Sequence, residues 1–201
     1  MAKTRPLQFL FRRAERGFLN MDFVIADLHL LHTSIISFER TQFNTIEEHD
    51  DLIIRRWNET VSPSDTVYVL GDVGFGKKSD PSPLRDLIKQ LKGHKILVVG
   101  NHDQYSDEVY IKMGFEKVYR TPIYYSPKII LSHEPVREAY ENPYCINVHG
   151  HIHNGKLTLP NFFNVNAANL NYRPEPMARY VSFANLRMKK RQERFGKEWY
   201  Y

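Results

Sequence analysis

The sequence predicts one α/β domain, and three observations carry that reading. Short β-rich runs alternate with stretches of helical period along the chain. Its 201 residues suffice for one sizeable core, whereas two full domains would be cramped. A hydrophobic fraction of 42% with 25% charged residues is that of an ordinary globular protein. The expectation is a single domain over 1–201, with a basic extension at 1–20 and a basic helix or tail at 175–201.

Strand-like runs lie at 23–26, 66–70, 95–99, 117–119, 123–125, 128–131, 146–148 and 162–165. The clearest helix covers 46–60. Thr45 and Glu48 have the spacing of a capping box there, and Leu52, Ile53, Ile54 and Trp57 form its apolar stripe. A second helix covers 83–91, with Ser82 as cap, Pro83 at its first position and Gly93 just beyond its end. A third is expected near 107–113, closed by Gly114, and a fourth over 176–194. His49 and His94 are expected on the surface.

The net charge of +5 is unevenly placed. Residues 1–20 hold five Lys/Arg and one Glu (+4), and 173–201 hold eight and three (+5). That leaves 21–172 at −4, with 15 basic and 19 acidic residues, as suits a region that gathers divalent cations. Nucleic acid is one partner the basic ends could take, and Phe195, Trp199, Tyr200 and Tyr201 could stack on its bases. Solvated faces of terminal helices are the plainer reading. No apolar run approaches the roughly 20 residues of a membrane span, so no membrane partner is expected. One cysteine, Cys145, makes no internal disulfide, and a cytoplasmic location follows as the default. The oligomeric state is left open.

Five apolar runs end in residues that bind metals. They lead into Asp27-Leu28-His29, Gly71-Asp72, Gly100-Asn101-His102-Asp103, Ser132-His133 and His149-Gly150-His151-Ile152-His153. Ligands collect at the C-terminal strand ends of α/β sheets, so parallel strands would bring all five together. Positions i and i+2 on extended backbone face the same side, which pairs Asp27 with His29 and His151 with His153. Carboxylate, imidazole and amide oxygens suit Mn, Fe, Zn or Ni better than Ca. So many donors exceed one tetrahedral zinc and are about right for two ions sharing a carboxylate.

In this order the motifs resemble those of the calcineurin-like metallophosphoesterase superfamily: D-x-H, G-D, G-N-H-[DE], H and G-H-x-H. They span 27–153, and 169–174 is similar to the end of small bacterial and phage members. The resemblance implies a four-layer α/β/β/α sandwich. It assigns Asp27, His29 and His153 to one ion and Asn101, His133 and His151 to another, with Asp72 bridging. The implied cofactors are two divalent ions, Mn first, with Fe, Ni, Zn or Mg as alternatives. The implied reaction is hydrolysis of a phosphodiester or phosphomonoester by in-line attack of a metal-bound hydroxide. His102 would stabilise the transition state or protonate the leaving group, oriented by Asp103. A small nucleotide-type phosphoester is the expected substrate, with a nucleic-acid nuclease or a non-catalytic partner-binding scaffold as alternatives.

Two departures bear on function. Val73-Gly74-Phe75-Gly76 follows Asp72 where protein phosphatases carry an acid and Arg, which argues against that branch. Leu31 precedes His32 where similar small members usually have Gly. His32 and Arg137 are candidates to touch substrate; Tyr140, Tyr172, Arg173, Lys77 and Lys78 are weaker ones. His149 is expected to support the ligands or the core.

Overall fold

The computed structural model describes residues 20–195. The basic extension and the aromatic tail at 196–201 therefore lie outside the described residues, but for Asn20. Strands β1 (Asp22–Ile25), β2 (Thr66–Val69), β3 (His94–Val98) and β4 (Phe115–Tyr119) form a parallel sheet in the order β4-β3-β2-β1. A two-residue strand, β9 (Glu175–Pro176), closes its edge antiparallel to β1. The second sheet has the order β5-β6-β7-β8, from β5 (Ile123–Ser126), β6 (Ile129–Ser132), β7 (Ile146–His149) and β8 (Phe162–Asn164). Only β5 runs antiparallel there.

Alternation along β1 explains why the sheets stack. Phe23 and Ile25 point to a cluster with Ile53, Trp57, Leu84, Ile88 and Tyr110, so helices cover that face. Val24 and Ala26 point the other way, to Ile129, Leu131, Ile146 and Val148 of the second sheet. The covering helices are α2 (Ile46–Thr60), α3 (Ser82–Ile88) and α4 (Asp107–Met113). Helix α6 (Ala178–Phe195) packs Tyr180 and Ala184 onto the inter-sheet cluster. Two sheets flanked by helices is the expected fold.

Local signals held with small shifts. Thr45 caps α2 by accepting from Glu48 N, but Glu48 reaches back to Asn44 N and not to the cap residue. Helix α3 starts at Ser82, so Ser82 lies inside the helix and not at its cap; Pro81 holds the N-cap position without a side-chain bond, and Asp80 Oδ1 accepts Ser82 N. The last helix begins at Ala178, since Glu175 and Pro176 are taken up by the sheet edge. Two short helices, α1 (Ile35–Phe38) and α5 (Arg137–Glu141), carry too few residues to show a period. His49 corrects its surface assignment. It is fully buried, one turn before Ile53 and two before Trp57 on the packed face of α2.

Candidate metal centre

Because β1, β2 and β3 are parallel, as are β6 and β7, the loops after them meet at one rim. Backbone bonds knit those loops together: Asp27 N to Gly71 O, His29 N to Asp72 O and Gly150 N to His133 O. Five of the seven expected donors have left-handed backbone: Asp27, His29, Asp72, His151 and His153, with φ from 46° to 67°. Such clustering of disfavoured backbone marks functional sites. Gly71, at φ 78°, takes the same conformation without strain. Gly100 and Gly150 serve closeness instead, because a Cβ on them would sit 2.4 and 2.5 Å from carboxylate oxygens of Asp72 and Asp27.

Asp27, His29, Asp72 and His153 offer donor atoms within 4.8 Å of one another. His29 Nε2 and Asp72 Oδ2 face each other at 3.8 Å, and both are buried without a hydrogen-bond partner. The Nδ1 atoms of His29 and His32 lie 3.1 Å apart, where a shared proton leaves the other ring edge of His29 free. Orphaned buried polar atoms are costly unless something charged fills the gap, so this group fits a divalent cation.

A second group lies alongside. His133 Nδ1–H donates to Leu70 O at 2.9 Å, which turns the lone pair of Nε2 toward Asn101 Oδ1 at 2.8 Å and His151 Nδ1 at 3.2 Å. Asn101 Oδ1 is also 3.0 Å from His151 Nδ1. Acceptor atoms packed this closely need a proton or a cation among them. Asp72 stands between the groups, Oδ2 toward His29 and Oδ1 at 3.6 Å from His133 Nε2.

Burial sets the electrostatics. It pushes the Asp27 carboxyl up to about 6, partly offset by His133. It drives His29 well below the usual imidazole range, so that ring stays neutral and able to bind metal. The Glu39 carboxylate, which accepts from His153 Nδ1, raises that imidazole.

The remaining expected residues fall as follows. His102 is exposed at the rim, and its backbone N donates to Asp72 Oδ1 at 3.0 Å. Asp103 is buried, and its carboxylate is occupied elsewhere: it accepts from the backbone of Asp72, Val73 and Gly100 and from Tyr110 Oη. It therefore ties two donor loops together and makes no hydrogen bond to the His102 ring. His32 stacks on Phe75 at 3.7 Å between centroids. Arg137 is exposed at the start of α5 and pairs with Glu141. His149 is buried and bonded to Gly150 O, in the supporting place expected. Tyr172 is buried behind the loops, under Arg40, and Arg173 pairs with Glu59. Tyr140 stacks on Phe162.

The sequence reading missed a buried polar chain behind the first loop. Arg40, fully buried, donates to the carbonyls of Asp27 and Leu28 and pairs with His49. His49 bonds Asp50, whose other oxygen accepts Leu31 N at 2.9 Å. That bond holds Leu31 at φ 60°, so a leucine adopts backbone that favours glycine. Glu39 joins the chain to His153.

The fold agrees with what the chain is similar to. The calcineurin-like phosphoesterase family matches residues 23–195, and the chain belongs to that family. A protein of unknown function from Aquifex aeolicus, AQ665, aligns with a TM-score of 0.66 at 27% identity, covering 82% of this chain and all of that one. An uncharacterized Methanocaldococcus jannaschii protein, MJ1445, is 29% identical over 164 residues, 76% of this chain and 84% of its own length. The gene 66 protein of mycobacteriophage L5 is 33% identical over 78 residues, 39% of this chain and 37% of its own.

Proposed function

We propose that the chain is a metal-dependent phosphoric ester hydrolase that uses two divalent ions on a small nucleotide-type phosphodiester or phosphomonoester. The placement of Asp72, with one oxygen toward each donor group, is the observation that carries this reading. Asp27, His29 and His153 would hold one ion, Asn101, His133 and His151 the other, and Asp72 both. Mn is the first choice for a mixed carboxylate, imidazole and amide set, with Fe, Ni, Zn or Mg as alternatives. Bound there, divalent ions polarise phosphoryl oxygens and make a water acidic near neutral pH.

The chain's own groups do the rest. The buried loops fix the donors, so attack on phosphorus is confined to one line. His102, exposed at the mouth, gives a ring proton to the departing oxygen. Asp103 positions the loops that carry Asp72 and Gly100. His32 lines the approach to the first group, and Arg137 is a more distant substrate contact. A buried, free Cys145 suits a reducing cytoplasm.

Helix α6 exposes Lys189 and Lys190, which favours nucleic acid as the second substrate class. That reading expects binding that weakens steeply with salt. A screen of mono-, di- and cyclic phosphoesters and short nucleic acids with Mn, Ni, Fe and Mg tests the proposal. Turnover that needs metal supports it; no metal-dependent turnover on any phosphoester refutes it.

A further inference from the structure

Next to the donor groups runs a row of rings that the metal chemistry does not use. Phe38, on α1, is 64% exposed, the most exposed large apolar side chain among the described residues. Its ring meets the edge of His32 at 6.4 Å and 70°. His32 lies flat on Phe75 at 3.7 Å and 22°. Phe75 in turn is 5.9 Å from His29, nearly parallel, and 5.4 Å from His102. The row starts in solvent and ends on an imidazole of the first donor group and on the proposed proton donor.

One exposed apolar side chain is ordinary on a protein surface, but this one continues a row of rings that reaches the donor group, and an aromatic face is covered best by a flat or apolar partner. The partner at this place is constrained. His32 is 5.1 Å from His29 and Phe38 is the next ring outward, so the substituent of a phosphoryl group held at the metal centre has Phe38 within reach. Aromatic faces stack on any base without reading its edge.

We propose that the exposed ring of Phe38 is a stacking wall for the base of a nucleoside phosphate whose phosphoryl group sits at the metal centre, with His32, backed by Phe75, meeting its edge. The proposal rests on the phosphoesterase reading for the position of the phosphate, and it assigns the residue that takes the substrate's base. Phe38 is the specificity-determining residue, being exposed and remote from the donor atoms. The wall prefers a base-bearing phosphoester over one with a small or a floppy substituent.

Calorimetry on the full chain loaded with Mn tests the wall without requiring turnover. The probes are thymidine 5′-phosphate, hexyl phosphate and methyl phosphate. Stacking on one aromatic predicts thymidine 5′-phosphate bound about 10-fold tighter than methyl phosphate. Phe38→Ala should remove most of that ratio and Phe38→Trp should retain it. An unchanged ratio in Phe38→Ala overturns the wall. So does hexyl phosphate gaining as much as the nucleotide, which would mark a general apolar patch. Hydrolysis of the same compounds as aryl esters is read separately. Its absence would sink the hydrolase reading and leave the affinity ratio to decide the wall.

Discussion

Single residues set the chemistry here, and two of them carry sharp expectations. Asp27 must be ionised to hold a cation, yet burial pushes its carboxyl up to about 6. Below that pH the metal-free protein keeps a proton there, and a cation must displace it. Asp27 alone is therefore expected to make the dissociation constant for Mn rise by about tenfold per pH unit below 6, and the raised imidazole of His153 extends the dependence above it. Calorimetry between pH 5 and 7.5 checks this, and a flat profile would count against Asp27 as a ligand. His29 adds no such dependence, since burial holds it neutral throughout. His102→Ala should keep its metal content by elemental analysis while losing about 100- to 10,000-fold in turnover. Unchanged rates on substrates with poor leaving groups would exclude its role as acid.

Elements determine whether those residues stay in place. Helix α2 does more than cover the sheet, because its first buried turn presents His49 and Asp50 to the metal loop. Arg40 completes that link with bonds to two carbonyls and an imidazole. Lysine cannot reproduce this fork with one ammonium group. Arg40→Ala and Arg40→Lys should each lower stability by roughly 3 kcal/mol and weaken metal binding, because buried acceptors are left unpaired. Chemical denaturation and Mn titration measure both effects. A lysine variant with wild-type affinity would show that the guanidinium is not needed for loop geometry.

The same scale shows what was legible in the sequence. Asp27, His29, Asp72, Asn101, His133, His151 and His153 stood at strand ends, and parallel strands brought them together because sheet topology fixes where such ends lie. Gly100 and Gly150 stood beside those donors in the motifs, and the structure shows that they allow close approach of carboxylate oxygens. Glu39 and Arg40 were not, since they follow a four-residue helix with no period and reach the centre only through tertiary packing. His49 could have been found. It lies four residues before Ile53 and eight before Trp57, on the buried stripe itself. The role of Asp103 was masked for another reason: a carboxylate next to a histidine in sequence bonds whatever donors the fold brings nearest, and these are backbone amides.

At the scale of the whole molecule, two sheets converge on one rim and the centre joins their loops. Among the described residues no helix is long and apolar enough to cross a membrane. Metal should therefore stabilise both halves at once. Chelator treatment is expected to lower the melting temperature, by the equivalent of about 2.7 kcal/mol for each ion when metal stood at 100 times its dissociation constant. Scanning calorimetry with and without chelator reads this directly, and an unchanged melting temperature would mean that the donor groups bind nothing tightly. The most direct test of a two-ion hydrolase is to titrate Mn into chelator-treated protein while following hydrolysis of a chromogenic phosphodiester. The expected result is activity that rises from zero and saturates at two equivalents per chain. Saturation at one equivalent, or no turnover at any ratio, would contradict it.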